Sequence, residues 1–283
     1  MTSQKSNYLV VGATGGSGKA IVDSLLAKGK KVAILVRNKT TAKTFFKENY
    51  EKIDHVVEFE LGLSQVMCQI EPEYNQDLLK ALDWCDVVVS SLGVRMRGDP
   101  QKSDYVAIVE LLNHCLQSKD RFEKKLFVYI STMYITRPYS FVAFLLNSLM
   151  STVMGWKALA ENRIRDSGLN YLIVRPGRLT DSQEEKTVEI FQGDSVKGQI
   201  SRKNLAAVIL NSINNKDIDK GKVTFEVVEA KNIGSQPVSL VSQIKLDDEK
   251  VYITADHFEA TRNLTIILWG ILTILFFFIL NKI

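Results

Sequence analysis

The sequence has 283 residues, a length that fits one large domain or one domain with appendages. With 46% hydrophobic and 24% charged residues, it is typical of chains that fold around a core, which excludes disordered, collagen-like and solenoid proteins. Its 36 basic and 32 acidic residues give a net charge of +4 and are scattered, so the sequence does not predict nucleic-acid binding.

Short β-branched runs alternate with longer helical patterns along the first 230 residues. Predicted strands cover residues 8–12, 31–36, 55–59, 86–90, 125–130, 171–174 and 223–228. Predicted helices cover residues 18–28, 76–82, 105–117, 156–167 and 203–211. This alternation predicts an α/β fold, with a doubly wound, mainly parallel Rossmann sheet in a domain over residues 1–230. We interpret residues 231–263, which are polar and irregular apart from one expected strand at 238–246, as a connector.

A glycine-rich loop joins the first predicted strand to the first predicted helix. A diphosphate needs free backbone N–H groups at a helix amino terminus, where the helix dipole favours an anion, and glycine lets the main chain approach closely. The spacing G-x-x-G-x-x-G, placed between a strand and a helix, therefore predicts nucleotide binding. The expected contacts come from Gly12, Thr14, Gly15, Gly16, Ser17 and Gly18.

Arg37 stands at the end of the second predicted strand, about 20 residues after the loop. A carboxylate at this position would accept hydrogen bonds from an adenosine ribose, whereas a guanidinium suits a 2′-phosphate. We therefore expect NADP(H) as the cofactor in preference to NAD(H). The alternative is a solvated arginine at a strand end.

Several motifs in the same order resemble those of the atypical, NmrA-like short-chain dehydrogenase/reductases, over about residues 7–229. The glycine loop looks like that family's phosphate loop, and residues 36–38 look like its NADP-selecting strand end. Residues 79–93 are similar to its fourth strand, and residues 127–132 to the strand with its active-site serine or threonine. Residues 156–177 resemble its most specific signature. The resemblance implies a Rossmann fold that binds NADP(H), with further cofactor contacts from Glu60, Leu61, Ser91, Leu92, Gly93 and Lys157.

The sequence departs from the reducing members of the wider superfamily at the catalytic tyrosine. Those members use Tyr-x-x-x-Lys, in which the tyrosine transfers a proton while the lysine lowers its pKa and holds the nicotinamide ribose. Lys157 matches the lysine, but Val153 stands where the tyrosine belongs. Ser131 and Lys157 therefore remain the candidate catalytic residues, without the usual proton donor. Tyrosines at other spacings are alternative donors: Tyr129, Tyr134 and Tyr139.

Residues 141–154 form an apolar segment without a charge, between the Ser131 strand and the Lys157 helix. Three interpretations stay open. The segment is a core helix whose small polar stripe faces the cofactor cleft, or it contacts a bilayer, a membrane partner or a lipid-like or quinone-like molecule, or it is a self-association surface.

Residues 264–280 contain no charge and are interrupted only by Thr265 and Thr273. A buried C-terminal helix would show a polar face, so we predict a transmembrane helix over these residues. Because apolar residues begin at Tyr8, we expect no leader before the fold and hence a tail-anchored protein. The membrane expected for it is mitochondrial or that of the endoplasmic reticulum, with the globular domain in a reducing compartment.

The cysteines and histidines of the sequence are few and scattered. The three cysteines share no C-x-x-C spacing, and the three histidines form no H-E-x-x-H or mixed ligand set. We therefore expect no protein-held metal and no disulfide framework, which fits a reducing compartment.

Two functions remain open, and the sequence does not decide whether the protein is an enzyme. The missing tyrosine favours an NADP(H)-binding, weakly active or inactive accessory subunit of a membrane-protein assembly, in contact with membrane lipid. The alternative is an NADPH-dependent reductase of an apolar carbonyl or quinone-like substrate at a membrane surface. A redox sensor that changes partners with NADP(H) occupancy would use the same residues.

Overall fold

A computed structural model describes residues 5–62, 74–94, 98–118, 125–137, 140–141, 143, 152–194, 196–215, 221–230, 244–247 and 255–280. In chain order the strands are β1 (Asn7–Val11), β2 (Lys31–Val36), β3 (His55–Glu58), β4 (Val87–Ser90), β5 (Leu126–Ile130), β6 (Asn170–Pro176), β7 (Arg178–Thr180), β8 (Val188–Phe191), β9 (Gln199–Ser201) and β10 (Lys222–Glu229). The helices are α1 (Gly16–Ala27), α2 (Lys39–Phe46), α3 (Gln76–Trp84), α4 (Ala107–Gln117), α5 (Val153–Asp166), α6 (Arg202–Ile213) and α7 (Ala255–Leu280). A 3-10 helix covers Lys47–Lys52 and a π-helix covers Gln101–Val106.

The main sheet confirms the predicted doubly wound, mainly parallel Rossmann architecture. Its strands lie in the order β3-β2-β1-β4-β5-β6-β10-β8, and β8 pairs antiparallel with β10 while the other neighbours are parallel. The strand order reverses between β1 and β4. In open α/β sheets, ligands bind at the carboxyl ends of the strands at such a switch point.

Both faces of the central strands are covered, which is why their sequences are continuous apolar runs. Alternate side chains of each strand enter opposite cores, because successive residues of a strand point to opposite faces. Val10 and Val128 lie in the core that α1 and α6 cover, and Leu9 and Phe127 lie in the core that α3, α4 and α5 cover. The two layers fix the carboxyl ends of β1 and β4 side by side.

Residues 244–247 return to the sheet and lie along the first half of β10. Asp247 N–H donates to Lys222 O at 2.7 Å, and Asp247 Oδ1 accepts from Thr224 N–H at 3.0 Å. The side-chain amide of Gln192 exchanges two hydrogen bonds with the main chain of Lys245 and also donates to Thr224 O. Because β8 pairs only with the second half of β10, these contacts supply partners that the first half would lack.

The predicted transmembrane helix over residues 264–280 is wrong. Within the described residues, no helix combines the length and apolar character that crossing a bilayer needs. The apolar run is the second part of α7, whose first turns include the charged residues Asp256, Glu259 and Arg262.

Two other predicted segments lie largely outside the described residues. Of the connector at 231–263 the structure describes residues 244–247 and the beginning of α7, so the strand expected at 238–246 is covered only at its end. Of the apolar segment at 141–154, residues 142 and 144–151 are outside the described part. Its end is buried: Val153 and Met154 pack against Ile135 and Ala143. The three interpretations of that segment stay open.

Candidate functional site: a nucleotide cleft beside two buried ionic networks

The glycine loop is folded tightly between β1 and α1. Gly12 has a φ of +77°, which favours glycine, and its carbonyl oxygen accepts a hydrogen bond from Gly15 N–H at 2.9 Å. The Ser91 hydroxyl donates to Val11 O at 2.9 Å and lies 3.1 Å from Gly12 O, which fixes the loop to the end of β4. A Cβ atom at Gly18 would collide with Gly12 O and lie 2.7 Å from Ser91 Oγ.

The amino terminus of α1 is suited to an anion. Its first turn contains no acidic residue, and no side chain caps it. The positive end of the helix dipole is therefore left for a ligand, as at other phosphate-binding loops. This turn contains the predicted contacts Gly16, Ser17 and Gly18.

A cleft of ≈ 310 Å³ opens at the switch point between β1 and β4. This volume is within the range of small-ligand pockets. Most of the predicted cofactor residues line it: Gly12, Thr14, Gly15, Arg37, Glu60, Leu61, Ser91, Leu92 and Gly93. Residues that the sequence did not suggest also line it, on the side of the π-helix: Val94, Gly98, Asp99, Lys102, Ser103 and Ala107.

Two cations lie in the cleft near the ends of β2 and β3. Arg37 is exposed at the end of β2, and in the described part of the chain it makes no salt bridge. Lys102 pairs with Glu60 at 3.1 Å, and both side chains are 40% exposed. Sequence analysis missed Lys102, because only the turn of the π-helix places it opposite Glu60. This part of the cleft can therefore bind a phosphate with Arg37 while Glu60 neutralises Lys102.

Lys157 adjoins the other end of the cleft and is bound to a buried carboxylate. Its Nζ lies 2.8 Å from Asp104 Oδ1, and a Cβ atom at Gly93 would lie 3.8 Å from the same Nζ. Asp104 is fully buried and also accepts hydrogen bonds from Val94 N–H at 2.9 Å and the Ser103 hydroxyl at 3.1 Å. Burial would lower the pKa of Lys157, but Asp104 outweighs it and raises that pKa above its usual value. Lys157 is therefore a charged group that forms an ion pair with Asp104 of the π-helix.

Ser131 is tied to a different carboxylate. Its hydroxyl donates to Glu161 Oε1 at 2.6 Å, and Glu161 is fully buried between Arg175 Nη2 at 2.7 Å and Arg165 Nη1 at 3.0 Å. Burial would raise the pKa of Glu161, but the two guanidinium groups and the Ser131 hydroxyl lower it to about 2. Ser131 thus belongs to a buried ionic network rather than to the cleft.

The same network continues to the turn that follows Ser131. Arg175 Nη1 lies 3.1 Å from Glu226 Oε1, and the other oxygen of Glu226 accepts from Asp194 N–H at 3.0 Å. The Asp194 carboxylate in turn accepts hydrogen bonds from the N–H groups of Tyr134 and Thr136, at 2.6 and 2.8 Å. The network therefore holds the turn over residues 133–136 in place.

Of the alternative proton donors, the two that the structure describes, Tyr129 and Tyr134, do not line the cleft. Tyr129 is fully buried, with its ring centroid 5.3 Å from Lys157 Nζ, and burial raises the pKa of its phenol. Tyr134 is half-buried with a φ of +65°, and burial followed by the charge of Asp194 raises its pKa. Tyr139 lies outside the described residues. Val153 is buried beside Ile135.

The sequence matches the NAD(P)H-binding family over residues 12–216, from the glycine loop to the residues just after α6. The chain belongs to that family. The match includes every predicted cofactor and catalytic residue, and family membership supports NAD(P)H as the cofactor. Among the described residues, no group of three or more His, Cys, Asp or Glu side chains is arranged to hold a metal ion.

The chain is similar to two chloroplast proteins. Protein TIC 62 of Oryza sativa is 30% identical over 241 residues, which are 80% of this chain and 47% of the relative, so the chain spans about half of that protein. An uncharacterized chloroplast protein of Arabidopsis thaliana is 30% identical over 232 residues, covering 78% of this chain and 74% of the relative. The predicted location in a mitochondrial or endoplasmic reticulum membrane is therefore wrong, because it rested on the transmembrane helix and these relatives are chloroplast proteins.

A solved structure shows the same fold. A short-chain dehydrogenase/reductase of Veillonella parvula in complex with NADP superposes with a TM-score of 0.60 at 17% identity, covering 80% of this chain and 96% of that one. At this identity the likeness concerns the fold alone.

Proposed function

We propose that this protein is an NADP(H)-binding, reductase-like accessory protein that transfers hydride to ordinary carbonyl compounds slowly or not at all. The observation that supports it best is the position of Ser131 and Lys157. Each of these candidate catalytic residues is bound to its own buried carboxylate, Glu161 or Asp104, and Val153 replaces the tyrosine between them.

The preference for NADP(H) rests on the end of β2. Arg37 is the exposed cation that lines the cleft after β2, and it stands at the position where a carboxylate would bind a ribose 2′-hydroxyl. Arg37 is also next to Asn38, whose side chain caps α2 by accepting from Thr41 N–H at 2.8 Å. A 2′-phosphate at this position would form charge-assisted hydrogen bonds with the guanidinium.

The slow chemistry rests on proton transfer. The nicotinamide supplies the hydride when it is bound, but reduction of a carbonyl also needs a proton at the carbonyl oxygen. General acid catalysis typically contributes about 10²- to 10⁴-fold in rate. The Tyr129 phenol is fully buried, and the Ser131 hydroxyl already donates a hydrogen bond to the Glu161 carboxylate.

The cofactor preference is tested by Arg37→Ala. Loss of a charge-assisted contact worth about 1.5 to 3 kcal/mol should weaken NADPH binding by roughly 10- to 150-fold and leave NADH nearly unchanged, as measured by calorimetry. Arg178→Ala is the matched control, because Arg178 is an exposed arginine that bonds Gln199 outside the cleft. Equal losses for NADPH and NADH would show that Arg37 does not bind the 2′-phosphate.

The accessory role is tested by turnover with small aldehydes, ketones and quinones. We expect rates well below about 1 s⁻¹, under the ordinary range for enzymes. Rates above that value with an apolar carbonyl or a quinone would favour the alternative function, an NADPH-dependent reductase.

A further inference from the structure

Arg202 covers the phosphate loop from outside the cleft. It is the first residue of α6, which packs against α1 in the same core. A Cβ atom at Gly16 would lie 2.6 Å from Arg202 Nε and 2.9 Å from Arg202 Cδ, so the arginine occupies the space that a side chain at position 16 would take. The guanidinium therefore lies at the amino terminus of α1, where the loop is suited to an anion.

The counter-ion of Arg202 is an exposed aspartate. Arg202 Nη1 lies 2.6 Å from Asp181 Oδ1, and the side chain of Asp181 is 85% exposed while that of Arg202 is 27% exposed. Exposed ion pairs of this kind are weak, contributing about 0 to 1 kcal/mol. A diphosphate has more charge than one carboxylate and would in addition bind the free N–H groups of α1.

Asp181 begins a short acidic loop that the first turn of α6 holds. Lys203 Nζ lies 3.1 Å from Glu185 Oε1 and bonds Gln183 O at 3.1 Å, and Asn204 Nδ2 donates to Glu184 O at 3.2 Å. Three consecutive side chains of α6 thus contact residues 181–185, and the first of them also contacts the phosphate loop. The acidic loop, residues 181–185, is linked to the nucleotide site through Arg202.

We propose that Arg202 binds the diphosphate of the nucleotide and that Asp181 competes with the diphosphate for it. Binding of NADP(H) then moves the guanidinium from Asp181 to the phosphates and releases one attachment of the acidic loop. Occupancy of the cleft in this way changes the contacts of the exposed acidic loop. This inference rests on the proposed nucleotide binding. It adds Arg202 as a contact of the diphosphate and the acidic loop as the segment that responds to binding.

The test uses the full chain and three probes: NADPH, ADP, which has the diphosphate, and adenosine 2′-phosphate, which lacks it. Arg202→Ala should weaken NADPH and ADP by about tenfold, the loss expected for a charge-assisted bond, and leave adenosine 2′-phosphate unchanged. Arg37→Ala should weaken the binding of adenosine 2′-phosphate and leave the binding of ADP unchanged. Asp181→Asn should tighten ADP by about two- to fivefold, because it removes only the competing charge of a weak ion pair. Arg178→Ala remains the control.

Hydrogen exchange measures the response of the loop. In the wild type, NADPH should speed exchange of the amides at residues 182–185. In Asp181→Asn that exchange should be fast already, and in Arg202→Ala it should not respond to NADPH. If NADPH binds and depends on Arg37, but Arg202→Ala changes neither ADP affinity nor the loop, the inference is overturned while the proposed function stands. If NADPH does not bind the wild type, the proposed function itself fails.

Discussion

The Ser131 hydroxyl lies 2.6 Å from Glu161 Oε1, and both side chains are buried. The serine that would orient a substrate in a reductase therefore completes the hydrogen bonds of a carboxylate between two arginines. Its loss should affect the stability of the fold more than the binding of a nucleotide.

We expect Ser131→Ala to lower the free energy of unfolding by about 1.5 to 3 kcal/mol, the range for a hydrogen bond to a charged group. NADPH affinity should stay the same, because Ser131 does not line the cleft. Ser90→Ala is the matched control. The Ser90 hydroxyl is also buried, at the end of β4, but among the described residues it has no hydrogen-bond partner, so its removal should cost little. Urea unfolding measures both, and equal losses would contradict the role assigned to Ser131.

The low pKa of Glu161 predicts a loss of stability in acid. The pKa of Glu161 is about 2 in the folded protein, whereas its ordinary value, expected in the unfolded chain, is 4.5. The unfolded chain therefore takes up the proton first as the pH falls. The stabilisation is complete above about pH 5 and is lost towards pH 2, on the order of 3 kcal/mol. Ser131→Ala should raise the pKa of Glu161 in the folded protein, so that the acid decline is smaller and ends at a higher pH. Parallel curves of wild type and variant in urea titrations between pH 2.5 and 6 would refute this prediction.

We expect Gly18→Ala to abolish nucleotide binding, because the added methyl group must displace both Gly12 O and the Ser91 hydroxyl and thereby the phosphate loop. Gly93→Ala is the control for stability. Its methyl group would meet Asp104 Oδ1 at 3.6 Å, an ordinary contact, so the melting temperature should hardly change. Calorimetry with NADPH and thermal unfolding separate the two effects. Normal NADPH affinity in Gly18→Ala would show that the loop does not need this close approach.

Val153→Tyr should not create a reductase. The larger ring enters a packed cluster with Ile135 and Met154 and should cost about 1 to 3 kcal/mol. Ser131 and Lys157 keep their carboxylate partners, so we expect turnover of small carbonyls below about 1 s⁻¹. Val153→Phe, which has the same bulk without a hydroxyl, separates the packing cost from any chemistry. Substantial turnover in the tyrosine variant alone would show that only the proton donor was missing.

The sheet was predictable because its signals are local. Apolar runs mark β1 and β4, and the glycine spacing marks the turn between β1 and α1. The short strands β7, β8 and β9 were not predicted, since each mixes polar and apolar residues over three or four positions and contains no apolar run. Helix α2 was also missed, although Asn38 before it is a typical capping residue.

The site was predictable only where one loop or one strand end determines it. The phosphate loop and Arg37 follow from residues close in sequence. The role of Ser131 depends on Glu161, which is 30 residues away in sequence, and the role of Lys157 depends on Asp104, which is 53 residues away. No local sequence pattern indicates such pairs. The helix predicted at residues 264–280 was misjudged in its extent, since it begins at Ala255, within the residues assigned to the connector.

The return of residues 244–247 to β10 affects how the protein behaves in a crowded solution. A strand with unpaired N–H and C=O groups at a sheet edge is a template for strands of other molecules. Asp247 and the Gln192 amide fill those positions beside Lys222 and Thr224 with contacts from within the chain. The half of β10 that β8 leaves uncovered is in this way protected against intermolecular strand pairing.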